Sequence, residues 1–132
     1  MYLPITTLSA CALGLLLVIL SLRVIGVRRG QQVSLGNGDN DTLERRIRAQ
    51  GNLVEYGPMG LILIGLSEFQ QETNTFLLAT VAAAFVMGRL LHGYALGFTN
   101  KAMRPRVTGM LLTLFSILGI IALNIWGVVV AS

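Results

Sequence analysis

Two runs of this chain carry no charge. Leu3 to Leu22 is uncharged for twenty residues and Val107 to Ala131 for twenty-five, in a chain of 132. A helix of about 20 apolar residues crosses the hydrocarbon core of a bilayer. Composition points the same way: 54% of the residues are hydrophobic and 12% are charged, too apolar a balance for an ordinary soluble domain. The length allows one domain. No positively charged region precedes the first run, which reads against a cleaved signal peptide. The net charge is +4 without a long basic run, so nucleic acid is not an expected partner and a basic membrane face is. The single Cys11 excludes an internal disulfide, and one His with one Cys gives no metal-ligand spacing.

A third apolar stretch starts at Thr75 and continues past Arg89 and His92 to Phe98. The fourth, Tyr56 to Ser67, is uncharged for only twelve residues. To cross, its helix must extend back through Glu55 and Asn52 towards Arg48. These stand at i, i+4 and i+7, on one helical face. A polar stripe carried into lipid is costly and is by default a functional-site hypothesis. The fold expected is all-α, an integral membrane four-helix bundle forming one domain over 1–132, with helices at about 3–27, 42–67, 75–97 and 107–131. Asp41 with Glu44 three residues on fits a capping box, Pro58 should kink the second helix or free a carbonyl, and Pro105 marks the break before the fourth. Gly93 and Gly97 form a small-xxx-small pair for close packing, and Asn124 is placed for an interhelical hydrogen bond. The turn from Glu68 to Asn74 is acidic, whereas every Lys and Arg except Arg89 lies in the loops after helices one and three or in the helical turns beside them. The positive-inside rule puts those two loops in the cytoplasm and both termini outside.

Counted from the acidic turn at about 1.5 Å per residue, Glu55 and Arg89 come to similar depths on antiparallel helices, and an ion pair between them is expected. Arg89 and His92 share a face at i, i+3. Arg48, Asn52, His92 and Arg106 fall towards the cytoplasmic half. Guanidinium for carboxylates, Asn for an amide and Glu for an ammonium suit a small acidic ligand with amide groups. Glutathione fits that description, as do many other peptides. Of the arginines closing the first helix, Arg23, Arg28 and Arg29, anchoring at the interface is the ordinary role; Arg28 is the one taken as a candidate for ligand contact.

Arg48-Ala-x-x-Asn52-x-x-Glu55-x-x-Pro58, preceded by Glu44-Arg45, resembles the second-helix signature of the MAPEG family, the membrane-associated proteins in eicosanoid and glutathione metabolism. Arg89-x-x-His92 resembles the Arg-x-x-His of that family's third helix, and Arg106 stands where the family keeps an Arg at the mouth of the fourth. The resemblance covers nearly the whole chain and is greatest to small bacterial members. It departs at Gly51, where Arg is frequent, and at Leu96 and Met110, where tyrosines are expected. The resemblance implies a homotrimer that holds glutathione as co-substrate at subunit interfaces. It implies a glutathione transferase or peroxidase-like activity on hydrophobic electrophiles arriving from the bilayer. Arg106 would be the catalytic residue, stabilising the thiolate, since a nearby cation lowers a thiol pKa. Arg28, Arg48, Asn52, Glu55, Arg89 and His92 would bind the tripeptide. The bacterial inner membrane, with the site facing the cytoplasm, is the location implied. The competing expectation is a non-enzymatic membrane protein whose polar stripe serves helix packing and trimer assembly. A transporter is a third and lesser one, since the chain has no inverted repeat.

Overall fold

The computed structural model describes residues 2–131, the side chain of Ala131 excepted. Its four helices are α1 (Pro4–Gln31), α2 (Asp41–Gln70), α3 (Thr75–Gly97) and α4 (Met103–Ala131). They outrun the apolar segments because the polar flanks are helical too. α1 opens with Pro4 at its first helical position, where the missing N–H is no loss. It continues through Arg28 and Arg29, two cations well placed in the last turn of a helix, until Gln32 turns left-handed at φ 55°. α2 is capped by Asn40 and not by Asp41: the extended Asn40 accepts from the Leu43 N–H at 2.9 Å, and Asp41 is already helical. The capping box does not form. Glu44 instead accepts from the Asn37 amide at 2.9 Å and faces Arg48 at 3.5 Å. α2 runs unbroken past Pro58. Pro105 is likewise no break, since it sits within the first turn of α4, a position that tolerates proline.

The helices run up and down in sequence. α1 packs on α2 and α3, α4 packs on α2 and α3, and α1 and α4 do not touch. The α2–α3 pair is therefore the centre of the bundle. Leu13, Leu16 and Leu20 of α1, Leu53 and Ile64 of α2, Phe85 and Leu96 of α3 and Ile120 of α4 form its core. α3 and α4 approach backbone to backbone at a glycine pair. A Cβ added at Gly109 would lie 2.6 Å from the His92 nitrogen and 2.7 Å from the Gly88 carbonyl. Only glycine allows that approach. The expected pair, Gly93 and Gly97, does serve close packing, but against Leu16 and Leu20 of α1.

Polar side chains join the helices at both ends. Glu68 belongs to α2, not to a solvated turn, and its carboxylate caps the start of α1: it accepts from the N–H of Ile5 and Thr6 at 2.8 Å and from the Thr6 hydroxyl at 2.7 Å. Asn124 donates to the Leu63 carbonyl of α2 at 2.9 Å, the interhelical bond expected of it. At the other end, three arginines hold the last carbonyls of α3. Arg46 Nη1 donates to Leu96 O at 2.8 Å, Arg45 to Ala95 O and Thr99 O at 3.1 and 3.2 Å, and Arg23 to Gly97 O at 3.2 Å. Outside, large apolar side chains such as Leu15, Leu22, Phe115, Leu118 and Trp126 are exposed. α1, α3 and α4 are long and apolar enough to cross a membrane. At 30 residues α2 has the length but carries charge along its first half. An exposed apolar surface of this extent belongs against lipid.

Candidate functional site

At the basic end of the bundle α2, α3 and α4 enclose a cavity of about 960 Å³, the size of a small-molecule site. α2 contributes Glu44, Arg48, Gly51, Asn52 and Glu55, whose helical spacing aligns them on one wall. α3 contributes His92 and Leu96, and α4 contributes Arg106 and Met110 among others. Five of the seven candidate residues, Arg48, Asn52, Glu55, His92 and Arg106, thus come together on one cavity although 58 sequence positions separate the first from the last.

Arg89 and Arg28 do not line it. Arg28 turns back on its own loop and donates to Val33 O, Ser34 O and Gly36 O at 3.5, 3.4 and 3.0 Å. Arg89 is 1% exposed and lies behind the wall. It donates to Asn52 Oδ1, to Thr113 Oγ1 at 2.8 Å and weakly to Met110 Sδ at 4.0 Å, and its Cζ is 5.2 Å from the Tyr56 ring centroid. The expected Glu55–Arg89 ion pair is absent. Glu55 faces outward and is exposed, and among the described residues Arg48–Glu44 is the one ion pair. Sequence depth placed Glu55 at the right height but not on the right side of α2; Asn52, one turn earlier, takes the guanidinium.

That contact sets the chemistry of the wall. With Oδ1 of Asn52 engaged by Arg89, the Nδ2 amide is the group left for a ligand, a donor suited to a carboxylate or a peptide carbonyl. His92 is 4% exposed and lines the cavity beside Arg106 with its ring free of hydrogen bonds among the described residues. Arg48 and Arg106 supply cations and Glu55 a carboxylate. No tyrosine lines the cavity: Leu96 and Met110 are on it, while Tyr94 is exposed and stacks on Phe98 at 6.1 Å. Sequence reasoning missed the clamp of Arg23, Arg45 and Arg46. No local signal marks it, since the arginines come from α1 and α2, 50 to 74 positions away from the carbonyls they hold.

The fold and cavity together define an integral membrane four-helix bundle with a polar cavity at its basic end. The MAPEG family model matches residues 6–126, and the chain belongs to that family. It is 31% identical to the inner membrane protein YecN of Escherichia coli K12 over 122 residues, 92% of this chain and 91% of that one; YecN of E. coli O6:H1 strain CFT073 aligns to the same extent.

Proposed function

We propose that the cavity binds glutathione and that the protein is a membrane-bound glutathione transferase, or a peroxidase-like enzyme, acting on hydrophobic electrophiles. The observation that carries this reading is the lining: two guanidinium groups, an amide donor, two carboxylates and an imidazole converge on a space of about 960 Å³. Glutathione offers two carboxylates, an ammonium, peptide carbonyls and a thiol, and each has a matching group. Arg48 takes a carboxylate, Asn52 Nδ2 a carboxylate or carbonyl, and Glu55 the ammonium. Arg106 stands at the start of α4 without an acidic partner and is the cation for the thiolate. With Leu96 and Met110 where hydroxyls are expected, no phenol assists it. The thiolate then adds to the electrophile and forms the C–S bond, and the displaced group or a proton from water completes the reaction. The exposed apolar side chains of Val107 and Leu111 on the same face of α4 let the electrophile arrive from lipid. By the charge asymmetry of the loops, the cavity faces the cytoplasm and the location is an inner membrane, as the name of YecN states for that relative.

The test is glutathione binding to detergent-purified protein, followed by pH–rate profiles with a model electrophile. Arg106→Ala should keep the fold and some affinity but lose most conjugation, with its profile moved to higher pH, because loss of the cation raises the bound thiol's pKa. Arg48→Ala should chiefly weaken binding. Arg104, equally basic but off the cavity, is the control. Identical profiles for wild type, Arg104→Ala and Arg106→Ala would reduce Arg106 to an interfacial anchor.

One observation favours a second reading. Glu55 is a charged residue exposed on the flank of the single chain, as a group paired across a contact between copies would be. In that reading the stripe serves assembly of a homotrimer. A protein that forms oligomers dependent on Glu55 and binds no glutathione would establish it.

A further inference from the structure

A second, smaller cavity of about 280 Å³ lies at the turn between α3 and α4. Its lining is Arg45, Asn100, Lys101, Ala102, Met103 and Arg106. Three of these six are cations, and none is an acid. Lys101 and Arg106 make no ion pair or hydrogen bond among the described residues. Arg45 is spent only in part, its Nε and Nη2 held by Thr99 O and Ala95 O, which fixes the guanidinium and leaves Nη1 free. The Asn100 amide is also without a partner among the described residues.

We infer that this cavity is a binding site for a phosphate group, delivered by an anionic phospholipid. A fixed guanidinium, an ammonium, a second guanidinium and an amide are the donors that phosphate oxygens take. The placement selects the source. The cavity sits immediately before Val107, where the uncharged run of α4 begins, which is the level of lipid phosphates. Met103, which lines it, is 61% exposed, and Val107, the first residue of that run, is 49% exposed; both offer apolar surface to acyl chains. Arg106 and Met103 line both this cavity and the larger one. A phosphate held here therefore competes for Arg106 with whatever occupies the larger cavity, which makes membrane charge a regulator of that site. The lipid site itself stands whether or not the larger cavity holds glutathione.

The test is lipid retention by the detergent-purified protein, read by native mass spectrometry without glutathione. Phosphatidylglycerol is titrated against phosphatidylcholine of the same acyl chains, with inorganic phosphate as a separate arm. Wild type should retain phosphatidylglycerol in preference. Lys101→Ala, in an exposed loop position, should lose about fivefold, the factor that corresponds to ~1 kcal/mol for one cation near an anionic surface. Arg104→Ala removes the same charge next door but outside the cavity and should change little. Equal losses in the two variants would mean diffuse surface charge and overturn the site. Binding of inorganic phosphate with no preference between the lipids would overturn the lipid as its source.

Discussion

Arg89 is the residue on which the cavity wall turns. It is a buried guanidinium without a carboxylate, satisfied by Asn52, Thr113 and the Tyr56 ring. Burying such a charge costs stability, but removing it alone leaves Asn52 Oδ1 and Thr113 Oγ1 without their donor, a penalty of about 1–3 kcal/mol per buried group. Arg89→Met should therefore lower the melting temperature modestly. The same change frees the Asn52 amide to rotate, and glutathione affinity should fall about tenfold, ~1.4 kcal/mol. Thermal unfolding beside a binding titration separates the two effects; a variant that melts much lower and binds normally would assign Arg89 to the core alone. The second residue-scale expectation reverses one drawn from the chain. Glu55 was the buried acid and Glu68 the solvated one; the structure has Glu55 exposed and Glu68 on two N–H groups and a hydroxyl. Bonds to a charged acceptor are worth about 1.5–3 kcal/mol, so Glu68→Ala should lower stability by about that much, and Glu55→Ala by less. Sequence spacing fixed heights along each helix well. It could not fix the direction a side chain takes across the bundle, because a turn's difference, Asn52 against Glu55, decides which one meets α3.

At the scale of the element, the α3–α4 contact is governed by Gly88 and Gly109. A methyl group at Gly109 would strike main-chain atoms of α3, which cannot move as a side-chain end can. Gly109→Ala should cost about 1–3 kcal/mol as an overpacked site and shift His92 relative to Arg106. Gly119→Ala, whose Cβ meets only a Val81 methyl at 3.4 Å, should be nearly silent. Melting temperatures of the two variants check this. Both ends of α3 repay attention for what could be read from the chain. Its start, Asn74 ahead of the apolar run, is visible in sequence, and the Asn74 side chain accepts from Phe76 and Leu77 N–H at 3.0 and 3.2 Å. Its end at Gly97 also falls where the sequence reading puts it; what holds that end is not visible, since the carbonyls there are satisfied by arginines from α1 and α2, a tertiary arrangement that leaves no local mark. The start of α4 lies earlier than expected for a different reason: Pro105 reads as a break but suits a first helical turn equally well.

For the whole molecule, the four-helix bundle and its three apolar spans were legible because apolar runs of that length have few other uses. The cavity was legible in part, since charged residues that interrupt apolar segments are few. The charge asymmetry of the loops predicts an orientation. Reporter fusions at Gly36 and Asn100 should report the cytoplasm and one at Thr73 the opposite side; the reverse pattern would move the cavity to the outer face. The way α1 is held has a further consequence. Glu68 ties it at one end, and Gln50 to the Ser21 hydroxyl at 2.8 Å and Arg23 to Gly97 O tie it near the other. Its connection to α2, a largely exposed segment from residue 32 to 40, is bonded chiefly to its immediate neighbours Arg28 and Glu44 and adds little to that grip. A chain cut after Gly36 and supplied as two separately translated pieces should reassemble in the bilayer, so that the covalent link is dispensable once both pieces have inserted.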